Sequence, residues 1–92
     1  MKTLKVEVKA EDVHQGKTCD GNWCPVALAF WRAVPRATRV NVQTKHITWW
    51  HNRRTWRFQL PRNVSRKISN FDIGVAIKPF EFVIPLKKVV RL

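Results

Sequence analysis

The chain has 92 residues, enough for one small domain and too few for a second core of useful size. Eighteen Lys and Arg against six Asp and Glu give a formal charge of +12, an excess that points to an anionic partner. With 45% hydrophobic residues set in alternating runs, the composition excludes wholesale disorder, and no apolar stretch approaches the roughly eighteen residues of a membrane span.

Leu4, Val6 and Val8 alternate with Lys5, Glu7 and Lys9, the period-two pattern of a strand with one buried face, over Thr3 to Lys9. Ala10 to Asn22 is polar and reads as a loop with a short helical turn around Glu11 to Val13. Pro25 suits a first helical position, where its missing N–H is not needed, and Val26 to Val34 follow as a nearly all-apolar, buried helix that Pro35 ends. Trp23 and Trp31 are assigned to packing around this helix.

Val40 and Val42, then Ile47 and Trp49, continue in strand alternation, and Trp56, Phe58 and Leu60 mirror them beyond His51 to Arg54. Asn52 tolerates a positive φ, so a hairpin reverses there with a basic tip. Val64, Ile68 and Phe71 stand at i, i+4 and i+7, which predicts an amphipathic helix from Arg62 to Asn70 with Arg62, Arg66 and Lys67 on its polar side. Phe80, Phe82, Ile84 and Leu86 form a last strand, marked by Pro79 and Pro85 as edge or bent. The order and the short connections predict a single α+β domain over residues 1–92: a small, mainly antiparallel sheet of four to five strands with two helices packed on one face.

At Cys24, Pro25, Val26, Ala27, Leu28 and Ala29 the chain resembles small uncharacterised bacteriophage and actinobacterial proteins with a Cys-Pro-(Ile or Val)-Ala-Leu-Ala helix start. Glu11, Asp12 and Gly16, then Phe71, Asp72 and Gly74, and Lys78 to Phe82 extend the likeness to about a third of the chain. The resemblance implies provenance, a phage gene product made in the bacterial cytoplasm, and brings no established activity. The N-terminus lacks an apolar signal core, which also fits a cytoplasmic expectation.

Charge is concentrated in the middle. Between Asp20 and Asp72 there is no acid, while all five tryptophans and ten of the Lys and Arg lie there. Unopposed positive charge interleaved with flat aromatics suits a polyanion that carries rings. Trp49 and Trp50 point to opposite sides of a strand, so both cannot enter one core. Trp50 then faces outward beside Arg57, where a base could stack on the indole; the competing reading has Trp50 packed under a partner subunit or the tail.

Cys19, Cys24 and His14 match no standard zinc spacing, and a cytoplasmic chain argues against a disulfide. Cys24 before an apolar helix reads as a small buried hydrophobe rather than a nucleophile. Neither a Gly-rich phosphate loop nor paired carboxylates are present, so neither an enzyme nor a cofactor is expected. The expected function is non-enzymatic nucleic-acid binding through Lys45, Trp50, His51, Arg53, Arg54 and Arg57 of the hairpin and Arg62, Arg66 and Lys67 of the following helix. The partner is DNA or RNA, without membrane binding, with homo-oligomerisation left open. The alternative is a counter-defence or host-takeover protein that captures a host protein or an anionic nucleotide.

Overall fold

The structure, a computed structural model, describes residues 2–92. In chain order it contains β1 (Thr3–Val8), α1 (Ala10–Gln15), α2 (Pro25–Ala33), β2 (Arg39–Val42), β3 (His46–His51), β4 (Arg54–Gln59), α3 (Arg62–Asp72), β5 (Phe80–Pro85), a 3₁₀ turn (Leu86–Lys88) and β6 (Val90–Arg91). The α+β class is as the sequence predicts, with helices packed on antiparallel sheets. Its strands divide between two sheets, however: β1 with β5, and β2-β3-β4-β6. A reason is visible at the edge of β2, where the Val42 N–H donates to the carbonyl of Gly21 at 2.8 Å. The loop before α2 thereby occupies the edge along which another strand would have joined.

β1 and β5 pair with Leu4 opposite Ile84 and Val6 opposite Phe82, which sends one apolar row inward. Helix α2 packs against both β1 and β2 and so closes the seam between the sheets. Its Phe30 is fully buried, with its ring 4.8 Å from that of Trp49 on β3. Val40, Ile47 and Phe58 complete this wall, and Val64 and Ile68 add the apolar side of α3. Truncating a residue such as Phe30 to Ala would cost about 3 to 5 kcal/mol, a large share of the stability of so small a domain.

Helix α1 is short, and its start is fixed by Asp12, which accepts a hydrogen bond from the Lys9 N–H at 2.8 Å. The carboxylate of Asp12 is buried and held by both terminal nitrogens of Arg32, at 3.0 and 2.6 Å. Burial pushes the Asp12 carboxyl up, but the Arg32 fork and the Lys9 N–H outweigh it and leave the pKa below the usual carboxylate value. Arg32 is therefore a structural cation that ties α1 to α2.

Several of the residues that carry the resemblance, Gly16, Cys24, Pro25, Val26, Phe71, Asp72 and Phe80, meet around the start of α2. The Sγ of Cys24 caps the helix by accepting from the Ala27 N–H at 3.4 Å, and Pro25 follows at the first helical position. A Cβ on Gly16 would lie 2.5 Å from Cδ of Pro25, so only glycine fits beneath the ring. Phe71, Asp72 and Phe80 line the same spot, which leaves a cavity of only about 10 Å³. These residues make a packed joint, and the joint has no room for a ligand larger than a water molecule.

Helix α3 runs to Asp72, two residues beyond the expected end, and stops at Gly74 with φ of 86°. Gly74 N–H donates to Phe71 O and Val75 N–H to Asn70 O, the paired bonds of a Schellman motif. Packing was expected of both Trp23 and Trp31. Trp31 does lie half-buried against the core, whereas Trp23 is 51% exposed, because it precedes α2 on the turn closed by Asp20 and never reaches the helix's inner face.

Candidate functional site

The β3–β4 hairpin is built by alternation and by a two-residue turn. Pairing runs from His46 opposite Gln59 to His51 opposite Arg54, and Asn52 and Arg53 between them have φ of 58° and 64°. Two successive left-handed residues make a type I′ turn, which matches the twist of the strands and normally takes Asn followed by Gly. Arg53 in the glycine position costs roughly 1 to 2 kcal/mol of backbone strain and places a guanidinium at the tip. Trp56 pins the turn by donating its Nε1–H to the carbonyl of His51 at 3.3 Å.

Because Ile47, Trp49 and Phe58 face the core, the alternate residues of the same strands face away from it. This outer face carries Arg39 and Asn41 of β2, Thr48 and Trp50 of β3, and Thr55 and Arg57 of β4. Arg39 lies directly across from Trp50, with its guanidinium 5.1 Å from the centre of the indole. Such a cation–π contact orients the guanidinium above the ring. On the far side of Thr48, Arg57 donates its Nε–H to the Thr48 hydroxyl at 3.3 Å. Trp50 is half-buried on this face, away from the core, and the guanidinium over its ring is that of Arg39, while the expected neighbour Arg57 lies across from Thr48.

The tail does not cover this surface. β6 pairs along the edge of β4, with Arg57 opposite Val90, and Leu92 N–H donates to Thr55 O at 2.9 Å. On the outer face Arg39 and Arg57 are exposed, Asn41, Trp50 and Thr55 are half-buried, and Thr48, across from Arg57, is buried. At the other end of the strands Lys45 is exposed, and its carbonyl accepts from the Leu60 N–H at 2.9 Å, which sets it beside the start of α3. Arg62 and Arg66 stand exposed one turn apart on that helix.

Two of the predicted residues fall elsewhere. Lys67 leaves the side of α3 shared by Arg62 and Arg66 and sits over the Phe80 ring at 5.2 Å, because a helical step of 100° per residue carries it toward the packed flank. His51 shares the register face of Trp49 rather than that of Trp50, and with Arg36 it lines a groove on that side. Arg39 is the important residue that the sequence reading left unranked. Its signal was present, since Arg39 and Asn41 alternate with the buried Val40 and Val42.

The electrostatics of the two ends differ sharply. All six acids lie on α1, the loop after it, the adjoining ends of β1 and β5, and the C-terminus of α3. Glu7 opposes Glu81 across the strands, and Asp72 accepts from the Cys19 N–H at 2.8 Å. Among the described residues only Lys5 and Arg32 pair with a carboxylate. The guanidiniums of Arg36, Arg39, Arg53, Arg54 and Arg57 consequently face solvent without an anionic neighbour.

Cys19 is exposed, whereas Cys24 is buried. Both are free; burial, with Asp72 and Asp20 nearby, pushes the Cys24 thiol up to about 11 even though two backbone N–H groups favour the thiolate. Among the described residues no three of His, Cys, Asp and Glu come together as a metal set, and no helix is long and apolar enough to cross a membrane. Compared with known protein families, curated proteins and solved structures, the chain matches none.

Proposed function

We propose that the protein is a non-catalytic nucleic-acid-binding domain, of phage origin as the Cys24 to Ala29 segment implies, that holds its ligand on the outer face of β2-β3-β4-β6. The observation that carries this reading is a sheet face free of acids on which exposed Arg39 is laid over Trp50 and exposed Arg57 is braced on Thr48. Guanidiniums fixed in this way lose little freedom when they take up phosphate oxygens, and each makes a charge-assisted bond. At roughly 3.3 Å per residue, the six residues of β3 give the face a length of about 20 Å. Arg53 and Arg54 extend it at the tip, and Lys45, Arg62 and Arg66 at the far end.

Stacking and phosphate contact act together at Trp50. A base that displaces Arg39 gains an indole, and one that stacks on the guanidinium keeps the sandwich; either way the contribution is on the order of 1 to 3 kcal/mol. Such contacts follow backbone and rings rather than base edges, so weak sequence preference is predicted. The first test is the 260 to 280 nm absorbance ratio of the protein purified without a high-salt wash. A ratio raised by co-purified nucleic acid, lowered by DNase or RNase and lost in an Arg39→Ala/Arg57→Ala variant, supports the reading. A protein-like ratio together with no binding to oligonucleotides at low salt contradicts it.

A further inference from the structure

Behind the hairpin, on the side opposite the outer face, the end of α2, the start of β1 and the 3₁₀ turn surround an open groove of about 400 Å³. Leu4, Val34, Trp49 and Leu86 give it an apolar lining, while Arg36 and His51 supply its principal polar groups. Grooves of this size and make-up are typical of small-ligand sites, with an apolar body and few polar groups to fix orientation. Arg36 has no carboxylate partner and no acid lines the groove, so an anionic occupant with a flat apolar part is complementary to it.

From these observations we infer that the groove seats one nucleotide unit, its base against Leu4, Val34 and Trp49 and its phosphate on Arg36. The inference rests on the nucleic-acid reading for its ligand chemistry and adds a second, separate place for a base. The groove and the outer face lie on opposite sides of the same end of the sheet, at His51 and Trp50. Trp50 and His51 are consecutive residues pointing to opposite sides, and Thr38 bonds the Trp50 carbonyl through both its N–H, at 2.8 Å, and its hydroxyl, at 3.2 Å. The segment from Arg36 to Arg39 is therefore a fixed rim with a guanidinium on each side. On this inference a single strand stacked at Trp50 turns over the rim and places its next base in the groove.

The two sources of a nucleotide, a free monophosphate and the end of a bound strand, are separated by following the indole N–H signals of Trp49 and Trp50 in ¹H–¹⁵N spectra. Those signals are assigned with Trp49→Phe and Trp50→Phe. Titration with adenosine and cytidine monophosphates is expected to move the Trp49 signal, and a ten-residue single-stranded oligonucleotide to move both. Arg36→Ala should weaken the Trp49 response at least tenfold, and Leu86→Trp, which fills the groove from an exposed position, should abolish it while Trp50 still responds to the oligonucleotide. Inorganic phosphate should leave Trp49 unmoved.

An oligonucleotide that moves Trp50 alone, with no monophosphate response at Trp49, overturns the groove and leaves the proposed function standing. A Trp49 response to monophosphate without any response to oligonucleotide supports the groove and overturns the polymer reading. A Trp49 response unaffected by both Arg36→Ala and Leu86→Trp overturns the seating described here.

Discussion

At the scale of single residues, Trp50 and Arg39 work as a pair, and neither is interpretable alone. The indole holds the guanidinium in place, and the guanidinium shields the indole. Replacing Trp50 by Ala should weaken single-strand binding by roughly 1 to 3 kcal/mol and leave the fold intact, because the ring lies outside the core. Fluorescence anisotropy with a labelled oligonucleotide would measure the loss, and thermal melting would check the fold. Arg53 offers a sharper test, since its backbone strain and its proposed binding role oppose each other. Arg53→Gly should raise unfolding stability by about 1 kcal/mol, through relief of the left-handed strain, and at the same time lower affinity for a polyanion. A variant that is stabilised and binds equally well would remove Arg53 from the interface.

At the scale of elements, the joint between α1 and α2 depends on one buried carboxylate. Asp12→Asn should cost roughly 2 kcal/mol, less than a fully buried pair because the Arg32 side chain remains 41% exposed to solvent. The pH dependence has a definite sign. A carboxyl whose folded pKa lies below its unfolded value near 3.8 contributes stability that is complete above that value and is lost as pH falls through the folded pKa. Urea midpoints should therefore drop between pH 5 and pH 2 in the natural protein, with a smaller drop in Asp12→Asn. Gly16→Ala tests the neighbouring contact, where the added methyl meets the Pro25 ring and should cost about 1 to 3 kcal/mol in the same assay.

The legibility of these elements in the sequence followed the physics of each. Alternation exposes strands because burial acts on one face at a time, so β1 to β5 and the face of Trp50 were readable. Asn52 marked the hairpin, and the i, i+4, i+7 row of Val64, Ile68 and Phe71 marked α3. Which strands pair is a matter of contacts between distant segments, and nothing in the local pattern of β1 says that it joins β5, or that Gly21 takes the edge of β2. The helical turn around Glu11 to Val13 was legible as α1, but not its full span from Ala10 to Gln15 or its tie to Arg32, 20 residues away. Lys67 was misplaced by treating a helix as having two sides, when its flank also packs.

At the scale of the whole molecule, the protein is asymmetric in charge. Its acids are gathered at the α1 end, where three ion pairs partly neutralise them, and the hairpin and outer sheet face carry unpaired cations. A solvated basic surface with no partner would have no need of such segregation, and dispersing the acids would relieve self-repulsion in the compact state. The concentration was legible in the sequence as an acid-free interval. Its division into a buried helix over Val26 to Val34 and a basic hairpin was legible too, from the apolar run after Pro25 rather than from charge.

The most direct test of the outer face as a nucleic-acid interface is the affinity for a single-stranded oligonucleotide measured as a function of salt, in the natural protein and in Arg39→Ala/Arg57→Ala. If Arg39, Lys45, Arg53, Arg54, Arg57, Arg62 and Arg66 each neutralise one phosphate, log K should fall linearly with log salt at a slope of about −4.9, and the double variant should bring it to about −3.5. A flat dependence, or a slope that the double variant leaves unchanged, would contradict the assignment of binding to this face.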